Sequence, residues 1–132
     1  MANEIELLKN HWLALADDIE KLPEPFSREI FLMECRIAGT TFVKDVGTKT
    51  EKLAEGDVLA LRRDPDNAYD DRAIAVHMAG DVRIGWIPQE RNEVVSRLMD
   101  AGKMLYAKVK SKAWSKSGKW LMIDVALFMR DT

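Results

Sequence analysis

Apolar positions recur along this chain in two periods. Near the start, Ile5, Leu8, Trp12, Leu15, Ile19 and Leu22 are spaced alternately three and four apart, the stripe of an amphipathic helix. Asn3 can cap it, Glu6 three residues later completes a capping box, and Pro23 and Pro25 end it. The stripe fits best a helix docked on its own domain. The alternative is a short coiled-coil or partner-binding helix that would form a homodimer through residues 3–22, although the stripe has fewer than the roughly three or four heptads a coiled coil needs. From Phe31 onward the period becomes two. Phe31, Met33, Cys35 and Ile37 alternate as a strand that stops at Gly39, and the polar stretch 40–56 reads as a surface loop with a short helical turn. Strands follow at Val58–Leu61, at Ala73–Val76 and at Val82–Ile87. Pro88, Val94, Val95, Leu98, Met99 and Gly102 mark a helix with its start and its C-terminal cap.

The last third alternates again. Leu105, Ala107 and Val109 face one way, and Tyr106, Lys108, Lys110, Lys112 and Trp114 the other. After a turn at Ser115–Gly118, Leu121, Ile123, Val125, Leu127 and Met129 return, with Trp120 and Met122 on the opposite face. About six short strands with intervening helices predict a mainly β protein, a small closed or nearly closed barrel. The domain expected is 26–132, with 1–25 as an added N-terminal amphipathic helix.

Between the second and third strands lies the most informative stretch, LALRRDPDNAYDDRAIAV, followed by GDVRIGWIP. Asp64-Pro65-Asp66-Asn67 makes a turn, since proline fixes φ and the Asp and Asn side chains bond back to the backbone. The whole stretch resembles the signature of the HIRAN domain family: a basic-acidic-proline turn, Asn-x-Tyr-Asp, Ala-Ile-x-Val, then Gly-aromatic-Ile/Leu. Looser similarity runs from about Phe31 to about Lys112. The resemblance implies a modified OB-like small barrel that receives the 3′ end of single-stranded DNA, in DNA repair or replication-fork processing. Two aromatics stack the terminal bases in that family, and an Asp accepts from the free 3′-hydroxyl. By motif, Tyr69 and Asp70 match the Tyr-Asp pair, Asn67 the Asn before it and Phe42 the other aromatic. Trp86 falls where some members carry His or Tyr. Two phosphate-gripping basic positions are replaced, at Thr41 and Gln89, and Lys44 and Arg91 are the nearest substitutes. Larger members join the domain to a Swi/Snf-type translocase and sometimes a zinc-containing RING domain. Neither is present in this chain, so ATP hydrolysis and zinc do not carry over. A translocase or nuclease acting in trans is the partner the resemblance suggests.

Composition and charge refine this picture. At 132 residues, 47% hydrophobic and 32% charged, the chain suits one folded domain. No apolar run reaches the roughly 18 residues that span a bilayer, and one cysteine, Cys35, cannot form an internal disulfide. A cytoplasmic location with no membrane contact is therefore expected. The net charge of −2 hides an asymmetry. Residues 103–123 hold six lysines and no acid, so a basic face of Lys108, Lys110 and Lys112 could attract a polyanion.

Enzymatic and metal readings find little support. Asp64, Asp66, Asn67, Asp70 and Asp71 resemble hard-cation ligands. A calcium loop counted from Asp64 would want glycine at 69 and glutamate at 75, where Tyr69 and Ala75 stand. His11 and His77 lack zinc-spaced companions, and no nucleophile elbow or phosphate-cradling glycine loop occurs. The chain thus reads as a non-enzymatic recognition module without cofactor or metal. The alternative is a protein-interaction adaptor acting through the N-terminal helix.

Overall fold

The computed structural model describes residues 28–131. The predicted helix at 3–22, and with it the homodimer and adaptor readings, lies outside the described residues.

Six strands form one antiparallel sheet: β1 Arg28–Arg36, β2 Val58–Arg63, β3 Ile74–Met78, β4 Val82–Trp86, β5 Leu105–Trp114 and β6 Leu121–Asp131. Their spatial order is β1-β6-β5-β2-β3-β4. Two helices accompany them, α1 Val46–Lys49 in the crossover after β1 and α2 Asn92–Asp100 after β4. The fully buried Leu59, Leu61, Ile74, Val76, Ile84, Ile123, Val125 and Leu127 come from the inward positions of four strands, β2, β3, β4 and β6, with Val95 added from α2. Each such side chain contributes about 1.5–3 kcal/mol on leaving water. Gly102, at φ 92, ends α2 in the left-handed conformation the sequence anticipates.

The expected barrel does not close. β1 and β4 are the outer strands and do not pair with each other. An isolated bridge joins Ala38, two residues past β1, to Trp86 of β4, and its two hydrogen bonds are 2.7 and 2.8 Å. The reason lies just past Arg36. Gly39 adopts φ 74 and turns the chain into a 3-10 turn, Thr40–Phe42, so no further ladder can form. The bridge itself needs glycine at position 85, because a Cβ there would sit 2.4 Å from Ile37 Cγ2 and 2.6 Å from the Ala38 carbonyl oxygen.

Two bulges break the simple alternation read from the sequence. Between Phe31 and Met33 the register slips, so Phe31 opposes Phe128 on the outer face while Met33 and Cys35 turn inward. Phe31 is therefore 55% exposed, edge-on to Phe128 at 5.8 Å. Cys35 is half-buried, and burial pushes its thiol up to about 11. The second bulge falls between Val109 and Ser111. Lys108 stays on the outer face opposite Ala126, but Lys112 now opposes the buried Ile123 and donates to the Thr50 carbonyl at 2.6 Å. Lys108 pairs with Glu29 at 3.0 Å and Lys110 with Glu34 at 2.6 Å. Tyr106, expected beside them at the surface, is buried and donates its hydroxyl to Glu29.

The predicted single stripe of Lys108, Lys110 and Lys112 is thus not formed. Replacing Lys108 and Lys110 together by Gln should leave the salt dependence of nucleic-acid binding nearly unchanged, measured as the slope of log K against log salt. A slope flatter by the ~1.4 units due to two single-strand phosphate contacts would restore this face to the binding surface.

Candidate nucleic-acid interface

The loop joining β2 to β3 is closed at its neck by the Asp64 amide donating to the Ala73 carbonyl at 2.9 Å. Inside it Asn67 does the organising. Its Oδ1 accepts from the amides of Tyr69 (2.9 Å) and Asp70 (3.1 Å), and its Nδ2 donates to Asp64 Oδ2 at 3.1 Å. Both ends of this side chain hold the loop, an Asx arrangement that the turn-forming sequence favours. Arg63, the last residue of β2, braces the loop from beneath. Its guanidinium donates to the carbonyls of Ala73 (2.8 Å) and Asp71 (3.0 Å) and pairs with Asp100 of α2 at 2.8 Å.

So restrained, the loop presents Tyr69 and Asp70 together. Tyr69 is 93% exposed, against the expectation for a ring that merely covers the end of the sheet. Asp70 accepts from the Arg72 amide at 2.9 Å through Oδ1 and from Asn92 Nδ2 at 2.7 Å through Oδ2. These donors, the Arg72 amide foremost and then Asn92, hold its carboxyl below the usual carboxylate range, with Arg72 and Arg63 adding favourable charge. Each carboxylate oxygen keeps a second acceptor site for a ligand.

Phe42 arrives from the other side. The 3-10 turn that carries it is pinned by the buried Thr40 hydroxyl, which donates to the Leu121 carbonyl at 2.9 Å. This leaves the Phe42 ring 84% exposed. Trp86 lies against Gly39 so closely that a Cβ on Gly39 would stand 2.6 Å from Trp86 Cε3. Phe42, Tyr69, Asp70, Asn67, Trp86 and Gln89 line one cavity of about 640 Å³, completed by backbone and small apolar groups of Ala38, Gly39, Ala73 and Ile87.

The motif residues thus converge, while two of the expected cations do not. Lys44 lines a neighbouring concavity and Arg91 lines neither. Arg62, Arg63 and Arg72, close in sequence, are engaged by Asp81, Asp100 and Glu93. None of the cavity's lining residues is cationic. The sequence reading missed Thr40, Asn92 and the bracing role of Arg63, which it offers only as a nearby cation. A signal for Asn92 existed: Asn92, Val95, Ser96 and Met99 recur at helical spacing, and the first three are buried. A polar residue on the inward stripe of a helix needs a partner, and Asp70 is that partner. Among the described residues no group of His, Cys, Asp and Glu is placed to hold a metal ion. No described helix is long and apolar enough to cross a membrane.

Because its pKa is depressed in the fold, Asp70 stabilises its surroundings above the unfolded carboxylate value, and that contribution disappears as pH falls through the lower folded value. An acceptor role for Asp70 should accordingly be constant from about pH 8 down to about pH 5. The ratio of affinities for 3′-hydroxyl and 3′-deoxy ends measures it. A ratio that halves near neutral pH would assign the recognition to another group.

A six-stranded, open antiparallel sheet with a pinned Asn-x-Tyr-Asp loop facing a Gly-turn aromatic defines a class of domain. The HIRAN domain family model matches residues 30–129, and the chain belongs to that family. In fold it is similar to a protein from Lactobacillus plantarum, at 24% identity and TM-score 0.71, covering 80% of this chain and 99% of that one. It is also similar to the crystal structure of the HIRAN domain of human HLTF, at 18% identity and TM-score 0.58, covering 79% of this chain and 80% of that one. The NMR structure of the HLTF HIRAN domain gives the same identity and TM-score, over 83% and 82%. Among curated proteins, none matches the chain in sequence.

Proposed function

We propose that this protein binds single-stranded DNA and prefers a free 3′ end, as a recognition module in repair or replication-fork processing. The observation that carries the reading is the pair of almost fully exposed rings, Phe42 and Tyr69, flanking an ionised Asp70 at one cavity. Exposed aromatics offer stacking platforms to bases of any sequence. A carboxylate repels an internal phosphate yet accepts a hydrogen bond from a terminal hydroxyl, so Asp70 selects an end over a continuous strand. Trp86 supplies apolar wall beside them, and Asn67 acts by holding the loop.

Fluorescent oligonucleotides with free and phosphate-blocked 3′ ends, at two salt concentrations, test the proposal. Tighter binding of the free end is expected. Equal affinity for both ends, or none for either, would leave the loop a structural element.

A further inference from the structure

Phe42 borders two concavities. Beyond the aromatic cavity lies a second one of about 380 Å³, between the turn after β1 and the β3–β4 hairpin, in which Lys44, Lys49 and Arg83 are three of seven lining residues. Arg83 also stands over the Trp86 ring at 4.9 Å, which joins the two concavities through a second side chain. No described carboxylate forms an ion pair with Lys44, Lys49 or Arg83, in contrast to Lys108, Lys110, Arg62, Arg63 and Arg72. The one acid in this concavity, Asp81, is held by Arg62, and His77 Nδ1 lies 3.2 Å from it. The aromatic cavity, by contrast, carries a carboxylate and no cation.

The geometry points to Lys44, Lys49 and Arg83 as the track for the phosphate backbone of the strand immediately 5′ of the bound end. This rests on the end-binding reading above and extends it. A strand end in the aromatic cavity brings phosphates that nothing in that cavity neutralises. Cations with no carboxylate partner to give up release counterions when phosphate arrives. Thr41 and Gln89 carry no charge, and the track supplies the cations that those two positions lack.

Affinity for free-ended oligonucleotides of about 3 and about 9 nucleotides tests this. The wild type should bind the longer one at least tenfold more tightly at low salt. Lys44→Gln with Lys49→Gln should lose most of that gain and flatten the salt slope by up to ~1.4 units, at ~0.7 per contact. Arg83→Lys, which keeps the charge, should retain most of it. A double variant with the wild-type gain and slope would overturn the track. So would a wild type that binds the short oligonucleotide but gains nothing with length. Failure to bind either length would sink the end-binding reading, and the track with it.

Discussion

Tyr69→Ala should weaken binding of every single-stranded DNA, whatever its sequence or end chemistry, by about one to two decades. Truncating a base-stacking aromatic typically costs ~1–3 kcal/mol, and each ~1.4 kcal/mol is tenfold in affinity. The variant should fold normally, because the ring is 93% exposed and the loop is held through Asn67 and backbone groups, none of them from the Tyr69 side chain. Unchanged melting with lost affinity separates binding from stability.

Asp70→Asn should behave differently. Stacking survives, so affinity for a free 3′-hydroxyl should fall modestly, while the repulsion of a 3′-phosphate disappears. The ratio of the two affinities should therefore drop toward one. The substitution can be accommodated locally: Asn92 Oδ1 is buried without a partner, so its amide can turn over and accept from the new side chain. A variant that keeps the full wild-type preference for the hydroxyl would remove Asp70 from end recognition.

The contrast between these two residues and the lysines of β5 shows what was legible in the sequence. Tyr69 and Asp70 are fixed by local chemistry, since Asn67 bonds to amides only two and three residues away. Short-range geometry of that kind follows from the order of residues. Lys112 was assigned to the wrong face because period two assumes an unbroken ladder, and the bulge between Val109 and Ser111 inverts everything beyond it. No local residue pattern announces that bulge. Phe31 failed for the same reason, at the slip before Met33. The open sheet has a related cause. Strand count and order leave closure undecided, and it turned on Gly39, whose positive φ takes the chain out of the ladder after one bridge. Asn92 was legible in principle, as a polar residue on an inward helical stripe, but its partner lies 22 residues away and only the fold reveals it.

The brace beneath the loop was likewise invisible, because Arg63 looks like one more surface cation next to Arg62. In the fold its side chain is only 16% exposed and serves three acceptors at once, the Ala73 and Asp71 carbonyls and the Asp100 carboxylate. Asp100 itself is 56% exposed, so water takes over much of its share when Arg63 is removed, and the larger loss falls on the loop carbonyls. Charge-assisted hydrogen bonds contribute about 1.5–3 kcal/mol each. With solvent replacing part of that, Arg63→Met should destabilise the domain by roughly 2–4 kcal/mol. At roughly 3–6 °C per kcal/mol for a domain of this size, Tm should fall by at least about 6 °C. Affinity should fall as well at temperatures where the variant is still folded, because Tyr69 and Asp70 are presented by a loop that has lost its support. Arg63→Lys should recover only part of both effects, since a single ammonium cannot reach acceptors that the planar fork spans. Wild-type melting and wild-type affinity for Arg63→Met would mean that Asn67 and the Asp64–Ala73 neck hold the loop unaided.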